Sequence, residues 1–155
     1  MTPGVLAARR ADVDYAVHEY DHDPKAGSYG LEAAEKLGVD PAAVFKTLVI
    51  ELDGGEAAVA VLPVLRNLDL KAAAAALGAK KARMGDPKKI QRITGYVLGG
   101  VSPLGQKKAL RTVIDETART LERIYVSGGR RGLDISLPPV DLAGLTRAGY
   151  AAIGR

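Results

Sequence analysis

The stretch 44–63 constrains this chain more than any other. VFKTLVIEL is dense in β-branched and apolar residues, and EAAVAVLP returns with the same character after Asp53-Gly54-Gly55. Two strand-forming runs around a DGG tip predict a β-hairpin with strands at 44–52 and 56–63. Side chains alternate faces along a strand. Phe45, Thr47 and Val49 therefore share one face, and Lys46, Leu48 and Ile50 share the other. Lys46 is thereby aligned with two aliphatic residues. A lysine so placed either meets something anionic, such as a phosphate, a carboxylate or a polarised oxygen, or snorkels to water from the strand end.

The segments around the hairpin alternate irregularly between helix and strand. Thr2 and Pro3 open a short helix over 3–10. Residues 15–20 alternate as a strand, and Ser28 caps a helix that Gly38 stops after Leu37. Residues 40–43 read as one helical turn. Beyond the hairpin come an alanine-rich helix over 68–77, a short strand over 80–84, and a helix opened by Asp86-Pro87 and ended by Gly95. Strands are expected at 96–100, 110–115, 123–126 and 133–137, with a last helix over 140–147. This order predicts an α+β or mixed α/β fold with a largely antiparallel sheet. The 155 residues suit one domain, 1–155, large enough to bury its own core.

Composition narrows the chemistry. The chain has no cysteine, which removes disulfides, cysteine-ligated zinc and a cysteine nucleophile, and suits a cytoplasmic protein. No apolar run approaches a membrane span, and the N-terminus lacks the pattern of a signal peptide. Charge is segregated. Residues 1–56 hold five Lys/Arg and eleven Asp/Glu, whereas 80–111 hold nine basic residues against one acid, Asp86. Such a tract is either a solvated face or the footprint of a polyanion such as nucleic acid.

Downstream of that tract's helix lies GYVLGGVSPLGQKK, residues 95–108, with four glycines, one proline and two lysines. Glycines allow close approach of the backbone to a ligand, and successive N–H groups can form an anion-binding concavity. A glycine-rich turn between two strands would read much the same. A second glycine-rich turn, SGGRRG, precedes Asp134, which either holds a ligand or Lys46, or caps that turn. His18 and His22 are the only histidines. On a strand they stand roughly 13 Å apart, too far to share a metal, and no metal ligand set or cofactor is indicated. Nucleophile-elbow, phosphate-loop and HExxH patterns are absent.

At these residues the sequence resembles the YbaK family of editing deacylases. These Cys-tRNA(Pro) deacylases are related to the editing domain of bacterial prolyl-tRNA synthetases. The resemblance runs over nearly the whole chain, through Tyr20 and the DHD loop, VFKTL, KKIQRITGYVLGGVSPLGQKK, YVSGGRRGLDI and PVDLAGL. It implies a mixed sheet curled into a partial barrel with flanking helices, and a misacylated tRNA as substrate. It assigns contact with the terminal adenosine or the ester to Lys46, and backbone donors facing the aminoacyl carbonyl to Gly99 and Gly100. Asp134 and Tyr20 would fix hydroxyl or amine groups. Tyr29, Thr47, Ser127 and Gly128 would line the substrate, Pro103 would stiffen the loop, and Lys107 and Lys108 would meet RNA.

The family's mechanism is substrate-assisted: the cysteine thiol attacks its own ester, so the protein needs no nucleophile. Prolyl-tRNA synthetase is the implied partner. The alternatives are a deacylase for another small misacylated tRNA, such as Ala-tRNA(Pro), and a non-catalytic module that binds tRNA or a synthetase.

Overall fold

The structure is a computed structural model that describes the backbone of residues 1–155 and every side chain except that of Tyr29. In chain order the first elements are α1 (Pro3–Ala11), β1 (Ala16–Glu19), α2 (Tyr29–Leu37), β2 (Phe45–Leu52), β3 (Ala57–Pro63) and α3 (Leu70–Ala76). They are followed by β4 (Ala82–Met84), α4 (Pro87–Thr94), β5 (Arg111–Asp115), β6 (Ile124–Arg130), β7 (Leu133–Leu137), α5 (Pro139–Thr146) and β8 (Gly149–Ala151). Short 3₁₀ turns lie at Pro41–Ala43 and Glu116–Thr120.

The hairpin forms in register, from Phe45 opposite Pro63 to Glu51 opposite Ala57. It is the centre of a five-stranded sheet of order β4-β2-β3-β5-β8, while β1-β7-β6 form a second sheet. The β3–β5 and β5–β8 pairs are parallel and the others antiparallel. This is a single-domain α+β fold with mixed sheets. The strand pairing does not close into a barrel; one isolated backbone bridge, Val44 to Tyr125, links the two sheets.

Alternation along the hairpin builds two cores. Phe45, Val49, Val59 and Val61 face the smaller sheet and pack with Ile124, Val126, Ile135 and Leu137. Ile50, Ala58, Ala60 and Leu62 face the other way, against Ala73 and Leu77 of the α3 region and Ile153. The central strands are covered on both sides, which is why they read as continuous apolar runs. Alanines on the α3 side let that helix approach closely. At one end Asp115 fastens the C-terminus: its carboxylate accepts N–H bonds from Ile153 and Gly154 at 3.0 Å each, and bonds from the N–H and hydroxyl of Thr117.

Two sequence expectations differ from the fold. Residues 96–100 form a turn, not a strand. Gly99 adopts φ +88°, and Gly100 N–H turns back to Val97 O at 3.0 Å. The short edge strand β8 follows a helix end in TRAGYA, where three residues are too few to show a period.

Candidate active site

A cavity of about 370 Å³ opens at the seam between the two sheets. The start of β2 supplies Lys46 and Thr47 to its wall, the β6–β7 hairpin supplies Ser127 and Asp134, and the end of β1 leads to Tyr20. The first turn of α2 and Leu98 and Gly99 of the glycine loop complete it. Lys46, Thr47, Tyr20, Gly99, Ser127 and Asp134, six of the residues expected from sequence, are thus brought together from four separate segments.

The glycine loop is a clamped structure. Tyr96 is buried and its hydroxyl donates to Leu104 O at 2.7 Å. The amides of Lys107 and Lys108 donate to Thr94 O and Ile93 O at the end of α4. A Cβ on Gly105, at φ +66°, would lie 2.3 Å from Pro3 O, so the loop sits directly on the start of α1. Glycine is needed there for both conformation and contact.

These contacts revise several expected roles. Gly100 is buried, a Cβ on it would lie 3.2 Å from Arg130 Cα, and its N–H is already spent on Val97 O. It underpins the β6–β7 turn and does not line the cavity. Gly99, by contrast, is exposed on the wall, and no partner for its N–H is recorded among the described residues. Pro103 and Gly128 are buried outside the wall, Gly128 packing against Leu133. Lys107 and Lys108 are exposed beside α4 and lie outside the wall too. The side chain of Tyr29 lies outside the described residues. The second glycine turn is capped by Ser127, whose Oγ accepts from Gly129 N–H at 3.1 Å, so Asp134 is not needed as the cap.

The electrostatics of the wall are uncompensated. Burial holds the Lys46 ammonium below its ordinary pKa, and among the described residues no carboxylate lies within 4.0 Å of it. Asp134 is 7% exposed, and burial pushes its carboxyl up to about 7. Tyr20 is pushed up to about 12, by burial first and then by the Asp134 charge, with Glu32 adding to the rise and a bond at Gly132 opposing it. The Thr47 hydroxyl is buried without a hydrogen-bond partner among the described residues. Buried polar groups are ordinarily paired, and a cavity lined by several that are not has the chemistry of a ligand site.

Among the described residues no histidine stands on this wall. His18 stands opposite Asp134 in the β1–β7 register but bonds Ser136 Oγ at 2.8 Å, outside the wall, and His22 bonds Glu32 at 2.7 Å. Sequence reasoning missed Arg130 and Arg131, which line the mouth, although both stand in the SGGRRG turn. It also missed Gly30 and Val64, whose contact joins α2 to the end of the hairpin. Nothing local in the sequence brings those two together.

The sequence profile of the aminoacyl-tRNA editing domain matches residues 24–145. An Enterococcus faecalis protein described as "Putative Cys-tRNA(Pro)/Cys-tRNA(Cys) deacylase EbsC" is 42% identical over 120 residues, covering 77% of this chain and 73% of its own. "Uncharacterized protein YwhH" of Bacillus subtilis is 28% identical over 112 residues, covering 72% and 71%. The fold is shared with a solved structure described as "a putative trans-editing enzyme for prolyl tRNA synthetase", with a TM-score of 0.87, 24% identity, and coverage of 100% of this chain and 99% of that one. The profile match and the close relative agree with the resemblance read from the motifs, and the chain belongs to the aminoacyl-tRNA editing domain family.

Proposed function

We propose that this chain is a trans-editing deacylase that removes cysteine from mischarged Cys-tRNA(Pro) by substrate-assisted chemistry. The observation that carries the reading is the make-up of the cavity. It gathers an unpaired Lys46, an unpaired Asp134 and the Gly99 backbone, and among the described residues no histidine lines it to activate a hydroxyl there. Such a wall binds and orients; it does not supply a nucleophile.

The thiol of the bound cysteine attacks its own ester carbonyl. A C–S bond forms, the C–O bond to the terminal ribose breaks, and the thiol proton ends on the ribose oxygen. The products are free tRNA and a small cyclic thioester. Holding thiol and carbonyl in reach can contribute about 7–11 kcal/mol. One backbone donor at the developing oxyanion contributes about 3 kcal/mol, and Gly99 N–H is the donor available for it. Lys46 orients the acceptor end and the ester. Asp134 and Tyr20 hold the amine or a ribose hydroxyl, and Thr47 and Ser127 complete the polar lining. An α-ammonium group beside Asp134 would compensate the charge that burial now disfavours.

The whole of 1–155 serves as one editing domain, its two sheets forming the halves of an open, partial barrel with the site at their seam. The relative's described substrates and the trans-editing neighbour favour cysteine on tRNA(Pro) and association with prolyl-tRNA synthetase in the cytoplasm. A domain this small has little surface for reading tRNA identity, and the synthetase would supply that selectivity. The test is deacylation of Cys-tRNA(Pro) by the protein and by Lys46→Ala, alongside Ala-tRNA(Pro) and Cys-tRNA(Cys). Loss of at least 100-fold in Lys46→Ala is expected, and near-full activity removes Lys46 from the site. Faster release of alanine than of cysteine would redirect the proposal to Ala-tRNA(Pro). Binding without hydrolysis of any of them would leave only a binding module.

A further inference from the structure

The basic tract of residues 80–111 is split in the fold. Part of it is already neutralised. Arg83 and Lys89 both meet Glu51, at 2.6 and 3.3 Å. Arg111 grips Glu56 with two bonds of 2.8 and 3.0 Å. The backbone amides of Lys80 and Lys81 bind Asp53. These partners all belong to the far end of the hairpin, away from the cavity wall.

The other part forms a row that leads to the cavity. Ile90 and Thr94 turn the inner face of α4 to the core. Lys88 and Arg92, one turn apart and exposed, share the outer face. Gly95 continues that row by three residues, and a Cβ on it would lie 3.6 Å from Lys107 Cβ. Lys107 therefore extends the row where the helix ends. No carboxylate lies within 4.0 Å of Lys88, Arg92 or Lys107 among the described residues. The one acid within the tract's own sequence, Asp86, is committed to capping α4 through Lys89 N–H. Lys108 stands at the edge, sharing the field of Glu56 with Arg111. Past the row the chain exposes Val97 and Leu98, each 54% accessible, and then reaches Gly99 on the cavity wall.

We infer that Lys88, Arg92 and Lys107 form the track for the phosphates of the tRNA acceptor stem, with Val97 and Leu98 supporting the unpaired bases that lead into the cavity. Arg83, Lys89 and Arg111 lie outside the track. Three unpaired cations in a row suit the regular negative charge of an RNA backbone, and an exposed aliphatic pair suits the face of an unpaired base. This inference rests on the proposed function and narrows its RNA contact to one face of one helix.

The test measures binding and hydrolysis separately. Affinity for an uncharged tRNA(Pro) transcript is followed against salt for the protein, for Lys88→Ala/Arg92→Ala/Lys107→Ala, and for the control Arg83→Ala/Arg111→Ala. The slope of log affinity against log salt should fall by roughly 2 to 3 in the first variant and stay unchanged in the control. Glutamine versions, with thermal unfolding as a folding check, should repeat the result. Equal slopes in all three proteins, or a larger loss in the control, would overturn the track. A wild type that does not bind the transcript would overturn it as well. If the first variant binds tRNA normally but no longer binds prolyl-tRNA synthetase, the row is a protein interface and the inference falls. A wild type that binds tRNA with the expected slope but leaves Cys-tRNA(Pro) intact would remove the proposed function and keep the track. Deacylation with an unchanged slope would do the reverse.

Discussion

Replacing Asp134 with asparagine removes an ionisable group from the cavity wall while keeping its size. In the folded protein burial pushes the carboxyl up to about 7, against 3.8 for an unperturbed aspartate, and among the described residues no cation lies within 4.0 Å of it. The raised value fixes the sign of the effect. Below pH 4 the group is protonated in both states and has no influence. Between about 4 and 7 the unfolded chain releases its proton while the folded one retains it, so stability falls as pH rises. Above 7 both forms are ionised and the full penalty applies.

A difference of about three pKa units corresponds to roughly 4 kcal/mol. Asp134→Asn should therefore be more stable than the parent by up to about 4 kcal/mol at pH 8. For a domain of this size that is roughly 8–16 °C in Tm. Thermal or urea unfolding of both proteins from pH 4 to 8.5 measures it, and the difference between them should shrink toward pH 4. Asparagine brings its own hydrogen-bonding needs, which add a constant offset, so the pH dependence is the diagnostic quantity. A difference that does not change with pH, or a variant that becomes relatively less stable at pH 8, would refute the picture of an uncompensated buried carboxylate. The same variant should lose deacylation, since groups that destabilise a fold often persist because function uses them.

The remaining predictions concern the supports of the site. Lys46→Met should deacylate poorly yet unfold no more readily than the parent, because the buried ammonium lacks a carboxylate partner; a marked loss of Tm would show that the lysine is structural. Gly105→Ala should cost about 3 kcal/mol in urea unfolding, combining a left-handed backbone with a contact against Pro3 O, and parental stability would show that the loop is not clamped on α1. Asp115→Asn should cost about 2 kcal/mol near neutral pH, because the amide cannot accept both Thr117 bonds and the N–H bonds of Ile153 and Gly154. Burial pushes the Asp115 carboxyl up, but those bonds outweigh it and hold it below the ordinary range. Its stabilisation is therefore present above pH 4 and lost as pH falls further, and the gap between variant and parent should narrow in acid; a gap that widens in acid would contradict this.

Much of this site was legible because its residues sit in local patterns. The alternation of VFKTLVIEL singled out Lys46 and set Thr47 on the opposite face; the fold puts Lys46 on the cavity wall and, at the strand's start, Thr47 with it. Asp134 was picked out by its place after SGGRRG, although its freedom from the turn became clear only when Ser127 was seen to cap it. The roles of the two adjacent glycines could not be separated by sequence. Gly99 and Gly100 differ in which side of the loop meets the β6–β7 turn, and only the fold settles that the Gly100 N–H is spent on Val97. Charge counting had the same limit. The tract read as one basic run, but its cations divide between Glu51, Glu56 and an unpaired row, because those acids lie 30 to 60 positions away in sequence. The contact of Gly30 with Val64 was beyond reach for the same reason.

The central claim is that the cavity holds the substrate and the substrate supplies the nucleophile. Single-turnover deacylation of Cys-tRNA(Pro) and Ser-tRNA(Pro), which differ in one atom of the side chain, tests it most directly. Rapid release of cysteine with serine release near the uncatalysed rate is the predicted result. Comparable rates for the two would contradict it and point to a water activated by the protein.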